Sequence, residues 1–114
     1  CCGGITPARK AIMLAETAGM NCEIMCWGNT LISAANLHLM LAFNCGTYYE
    51  QPIPYDSYEY GMKDVIRTQA DGYVYAPRKP GLGVDIDEEL AAKYEYKRAF
   101  LPVNRLEDGT MFSW

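Results

Sequence analysis

The sequence predicts an α/β fold, and three observations carry the prediction. Apolar residues recur at helical spacing in two separate segments. Each is followed by a short apolar or aromatic run bounded by Gly or Pro. The resulting order of helix, strand, helix, strand is that of βαβ units with parallel strands. A chain of 114 residues with 50% hydrophobic and 12% aromatic content is globular material of single-domain size. Its net charge of −4, with no cluster of Lys or Arg, argues against nucleic acid or an anionic membrane surface as the main partner. A small molecule or another protein fits better. Ser33, Asn36 and His38 interrupt the apolar stretch 31–43, which falls short of the roughly 18 residues that span a bilayer.

The first helix is predicted over residues 6–19. Thr6 is placed to cap free amides and Pro7 to begin the helix, where no N–H is needed. Ala8, Ala11, Ile12 and Ala15 then share one face, with Arg9, Lys10 and Glu16 on the other. Residues 21–26 read as a short strand, too brief for a helix. The second helix, over 29–43, is apolar on most of its circumference and is expected to be largely buried. Residues 46–50, GTYYE, form the next strand, stopped by Gln51-Pro52. The prolines and polar groups of QPIPYDSYEYG then predict an ordered surface loop. Residues 72–75 read as a strand and RKPGLG as a turn. Asp87 caps a last helix predicted through about residue 100, with Leu90, Ala91, Tyr94 and Leu101 on one face and Glu88 and Glu89 in the first turn. Asp108-Gly109 signals a turn, with a terminal hairpin as the expected outcome.

Five cysteines, including the adjacent Cys1-Cys2, do not form the even, spaced framework of a secreted disulfide domain. Reduced thiols and a cytoplasmic setting are expected. Cys1-Cys2-Gly3-Gly4 also lacks the charged start and apolar core of a secretory signal, and reads as part of something longer.

Taken in order, GGITPARKAIMLAETAGM, WGNTLISAANLHLML, NCGTYYEQP and DGYVYAPRKPGLGVDID resemble the C-terminal part of mandelate racemase-type members of the enolase superfamily. No one motif is specific; their order and spacing over residues 3–90 are. The resemblance implies a modified TIM barrel with a capping domain. Residues 1–84 would belong to the barrel and 85–114 would return to the cap. The first helix would follow the sixth barrel strand, with residues 22–26 the seventh strand and 46–50 the eighth. Because barrel chemistry gathers at the C-terminal ends of strands, the resemblance directs attention to Met25, Cys26, Trp27, Glu50 and Gln51.

Such enzymes remove a proton alpha to a carboxylate and use Mg²⁺ to stabilise the enediolate. By the resemblance, the metal ligands and the lysine-type base lie on earlier strands, outside this segment. Glu50 falls where the family places a carboxyl group that hydrogen-bonds the substrate carboxylate in its protonated form. Tyr48, Tyr49 and Pro52 are expected to give it a dry setting that raises its pKa. Met25 stands where many relatives carry a histidine base, and methionine takes no proton. Cys26 is the neighbouring acid-base candidate, although alternation along a strand turns it to the other face. Catalytic roles are therefore assigned to Glu50 and Cys26, and substrate binding to Met25, Trp27 and Gln51.

The loss of the histidine favours a one-base reaction run by a residue outside this segment, or a divergent activity; the resemblance is greatest to the acid-sugar dehydratases, which implies a small carboxylate substrate such as an acid sugar. A racemase or cycloisomerase on the same scaffold remains open, as does a non-catalytic segment used for binding or assembly. Further partners implied are the rest of the barrel, the cap and further copies in a homo-oligomer. For the tyrosines of residues 48–60, a substrate-facing loop and a lid over the rim both stay open. His38 reads as a hydrogen-bonded structural histidine and Cys26 equally as a packed side chain. A zinc set of Cys22, Cys26, His38 and Cys45 lacks CxxC spacing.

Overall fold

The computed structural model describes residues 3–98 and 108–110. Its helices are α1 (Ile5–Thr17), α2 (Thr30–Leu41), α3 (Asp56–Glu59) and α4 (Glu88–Ala91). Among the described residues, no helix is long and apolar enough to cross a membrane.

α1 begins one step earlier than predicted. Gly4 is its N-cap and supplies no side-chain bond. Thr6 therefore lies inside the first turn instead of capping it. Pro7 is also in that turn, where its missing N–H has no helical partner to lose. At the other end, the N–H groups of Gly19 and Met20 bond the carbonyls of Glu16 (3.0 Å) and Ala15 (2.9 Å). This closure needs a left-handed residue, which Gly19 provides at φ 67°.

α2 starts as the sequence predicts, at an Asn29 cap whose side chain accepts from the Ile32 N–H at 3.4 Å. It is buried on two sides. Leu39 packs with Ile12 of α1 and Cys45, against Ala8, Cys22, Ile24 and Phe43. Ala34 and Leu37 pack with Ile66, against Tyr49, Val74, Leu82 and Val84. The helix thus joins α1 on one flank to the irregular segment 66–84 on the other.

The two predicted strands 21–26 and 46–50 are extended but carry no regular ladder. One backbone bond joins them, from Cys22 N–H to the Cys45 carbonyl at 2.6 Å. The next amides, of Thr47 and Tyr48, donate to the Glu23 carboxylate at 2.9 to 3.1 Å. A side chain has taken the place of the neighbouring strand's carbonyls. Side-chain alternation nevertheless persists: Cys22, Ile24 and Cys26 turn inward, while Glu23, Met25 and Trp27 are exposed.

The third predicted strand, 72–75, forms no ladder and instead leaves a turn over residues 69–72. Gly72 N–H bonds the Gln69 carbonyl, Gln69 N–H bonds the Tyr73 carbonyl, and the Asp71 carboxylate takes the Tyr73 N–H and the Tyr75 hydroxyl. These bonds hold Asp71 below the usual carboxylate range, with the Tyr75 hydroxyl the main cause. The turn predicted at RKPGLG is present, closed by Gly83 N–H on the Pro80 carbonyl. Segment 61–63 meets 85–87 through an antiparallel bridge between Met62 and Ile86, and Lys79 pairs with Asp64 beside it.

The last predicted helix is much shorter than expected. Asp87 caps it, accepting from Leu90 N–H at 2.9 Å, but α4 ends at Ala91. Ala91 and Tyr94, expected on a packed face, are exposed. Without a buried face, a short helix has little to offset the cost of ordering it. The Asp108-Gly109 turn forms, with Asp108 accepting from Thr110; the expected hairpin arms lie outside the described residues.

Truncating the two-sided core should be costly. Leu37→Ala is expected to destabilise the protein by about 2–5 kcal/mol. The exposed Leu41→Ala should stay within about 0.5 kcal/mol. Urea denaturation of the two variants side by side measures the difference.

Candidate functional site

Contacts between the two extended segments advance together. Cys22 meets Cys45, Glu23 meets Thr47 and Tyr48, and Trp27 meets Glu50. Both indices rise, so the segments run in the same direction, and their C-terminal ends come to one place. That place is where Trp27 and Glu50 meet, with Met25 exposed two residues before Trp27.

α2 fixes the end of the first segment. The Asn36 amide donates to the Met25 carbonyl at 3.0 Å and the Ser33 hydroxyl to the Cys26 carbonyl at 3.4 Å. Between segment and helix the chain turns at Gly28, φ 149°, where a Cβ would lie 2.6 Å from the Ile32 side chain. The end of the Ile32 side chain could shift, but the φ is one that residues with a Cβ rarely adopt, so glycine suits the turn.

Trp27 and Glu50 form the centre of the site. The indole N–H donates to Oε1 of Glu50 at 2.6 Å. Trp27 is also met edge-on by Tyr58 of α3, ring centroids 6.2 Å apart at 84°. Met25 and Trp27 are 68% and 57% exposed, a wide apolar surface beside one carboxylate. Glu50 is exposed as well. The dry setting expected around it is only half built: Tyr48 is 77% exposed, while Tyr49 points inward to the Ser33 carbonyl at 3.1 Å.

The remaining predicted site residues are placed elsewhere. Cys26 is fully buried beneath α2, its thiol donating to the Ile24 carbonyl at 3.3 Å. Burial pushes its pKa up, the bonds from Asn36 and Tyr49 oppose that rise, and the Glu50 charge adds a lesser upward push. Burial likewise pushes the Tyr49 hydroxyl upward. Gln51 is committed within the protein. Its amide donates to the Ile66 carbonyl at 2.6 Å, and its oxygen accepts from the Thr68 N–H at 2.8 Å and the Thr68 hydroxyl at 2.6 Å. Both acceptor positions of that oxygen are taken.

Sequence reasoning missed Arg67. Its guanidinium donates to both carboxylate oxygens of Glu59, lies 3.8 Å from Asp56 and sits 4.8 Å over the Tyr55 ring. The signal was present as acidic residues three apart beside tyrosines, but the cation lies eight positions on, in irregular chain. His38 is structural, as expected, with Nε2–H donating to the Leu82 carbonyl at 3.2 Å. No three His, Cys, Asp or Glu side chains among the described residues converge to hold a metal, so the alternative zinc set is not assembled.

The chain is similar to known proteins. The chain is 48% identical, over 98% of its length, to a D-mannonate dehydratase from Sphingomonas sp. (strain SKA58), of which it spans 28%. It is 70% identical, over 41% of its length, to the D-galactonate dehydratase family member RspA of Cellvibrio japonicus (strain Ueda107), of which it spans 12%. Its fold is similar to a crystal structure described as a mandelate racemase/muconate lactonizing enzyme from Pseudovibrio sp., with a TM-score of 0.80 and 41% identity over 84% of this chain and 26% of that one. The enolase C-terminal domain-like family matches residues 1–90, and the chain belongs to that family.

Proposed function

We propose that this chain supplies the last two staves of a modified TIM barrel, and that the completed protein is an acid-sugar dehydratase. It removes the proton alpha to a sugar carboxylate and expels hydroxide from the next carbon, leaving an enol that becomes a keto acid. The observation that carries this reading is the Trp27–Glu50 hydrogen bond at the common end of two co-directional segments. That is where barrel enzymes place their chemistry. The dehydratase names of the relatives support the reaction and point to a hexonate-type substrate. Residues 1–84 form the barrel part in this reading, and 85–114 return towards the cap.

In this reading Glu50 hydrogen-bonds the substrate carboxylate, which requires a proton on one of its oxygens. Trp27 is a donor only, so it occupies Oε1 as an acceptor and leaves Oε2 to carry the O–H towards the substrate carboxylate. As the alpha proton departs, negative charge grows on that carboxylate and the hydrogen bond strengthens. Met25 and the Trp27 ring exclude water from one side. Neither Met25 nor Cys26 serves as the base in this reading: methionine takes no proton, and the Cys26 thiol is buried against the Ile24 carbonyl. In this reading the proton is taken by a residue on another stave.

Members of the enolase superfamily generally use Mg²⁺. The residues present do not fit it, since no acidic trio converges among the described residues and the Glu23 and Glu50 carboxylates bond Thr47, Tyr48 and Trp27. Its ligands belong to earlier strands in this reading. Gln51, expected at the substrate, serves instead as a brace on residues 66 and 68, and Cys26 as packing.

In the full-length protein, Glu50→Gln is expected to lower turnover of an acid sugar to keto acid by about 10²-fold or more. Turnover equal to the parent's would overturn the reading. Cys26→Ala is expected to leave kcat within about threefold. Its raised thiol pKa and burial also predict that, at pH 8, a thiol reagent modifies Cys26 more slowly than the half-buried Cys22, with the rate rising as pH increases. Mass spectrometry of peptides from a timed reaction follows both sites.

A further inference from the structure

The groups around Glu50 form a closed circuit. Glu50 accepts from Trp27, and Trp27 meets the edge of Tyr58. Glu59, the next residue of α3, is gripped by Arg67. The neighbours of Arg67 on either side, Ile66 and Thr68, are bonded by Gln51. Gln51 follows Glu50 in the chain, so the circuit returns to its start.

We propose that Trp27 is a positioning residue for Glu50, and that Tyr58, Glu59, Arg67 and Gln51 hold the indole where it must be. The proposal deepens the dehydratase reading and rests on it. An exposed glutamate has three rotatable bonds and little to choose among their settings. The 2.6 Å indole bond selects one setting and decides which oxygen remains for a ligand. Trp27 does not fix itself: more than half of its surface is open. Its backbone is held through the Met25 and Cys26 carbonyls, and its ring stands nearly perpendicular to that of Tyr58. Tyr58 stands on a helix of only four residues, too short to be stable alone. Arg67 ties that helix down through Glu59, Asp56 and the Tyr55 ring. The Arg67 side chain is 43% exposed, so the clasp contributes placement more than stability. A displacement of about 1 Å at a reacting group costs up to 10²-fold in rate, which is the scale on which such a circuit acts.

The test is a double-mutant cycle in the full-length protein, with kcat and KM on an acid sugar for Trp27→Phe, Glu50→Gln and the pair. Trp27→Phe keeps an aromatic ring and removes the N–H. It is expected to lower kcat by about tenfold or more with KM changed less than about threefold. The double variant should be no slower than Glu50→Gln alone, because Trp27 acts through that carboxyl. Arg67→Met should lower kcat several-fold in the parent and leave the Trp27→Phe background unchanged. An unaltered kcat in Trp27→Phe, or losses that multiply in the pair, overturns the proposal. A Glu50→Gln protein of full activity defeats the dehydratase reading instead. The bond is then judged separately by the Trp27 indole N–H resonance, which must move in Glu50→Gln; if it does not, the proposal fails whatever the activity. Circular dichroism matching the parent establishes that each variant is folded.

Discussion

The arrangement depends on burying α2 from two directions. An ordinary surface helix commits one stripe to the core. α2 commits Leu39 to α1 and Ala34 with Leu37 to the segment 66–84. Each fully buried leucine is worth about 1.5–3 kcal/mol, against about 0–1 kcal/mol for an exposed ion pair such as that of Lys63 and Asp85. The apolar contacts therefore decide where α2 lies, and the polar ones follow. Because the helix begins immediately after the Gly28 turn, its position also sets the end of the first extended segment. Ser33 and Asn36 transmit that position by bonding the Cys26 and Met25 carbonyls.

The two faces of that segment have separate tasks. Cys22, Ile24 and Cys26 are spent on packing, and Glu23, Met25 and Trp27 are left for other contacts. One thiol and one carboxylate lie close enough for the Glu50 charge to raise the Cys26 pKa, yet they belong to different faces. Proximity alone would have paired them in a mechanism. Alternation keeps them apart, and it leaves Glu50 to be organised by the indole.

Much of this was legible in residue patterns. The spacing of Ala8, Ile12 and Ala15 gave α1, and the apolar run after Asn29 gave α2 with its cap. The order GTYYEQP located Glu50, and alternation correctly set Cys26 apart from its neighbours. What could not be read was whatever depends on partners distant in sequence. Residues 21–26 and 46–50 have strand composition, but a ladder needs carbonyls alongside, and Glu23 intervenes. The tail after Asp87 has helical composition, but Tyr94 meets the exposed Tyr60 ring and stays more than half exposed. Thr6 looked like a cap because the sequence does not show that Gly4 can turn the chain first. Arg67 and Gln51 carry side chains that are ordinary in any loop; their importance comes from what the fold brings beside them.

Glu23 has a consequence beyond the local geometry. Extended segments with open amides recruit identical segments from other molecules, and this is how fibrils start. Here two consecutive donors, of Thr47 and Tyr48, are already capped by a fixed negative charge. A second molecule approaching that margin meets occupied amides and a carboxylate that repels its own counterpart. The carboxylate that stands in for ladder carbonyls within the chain thus also keeps those two amides occupied towards any other molecule.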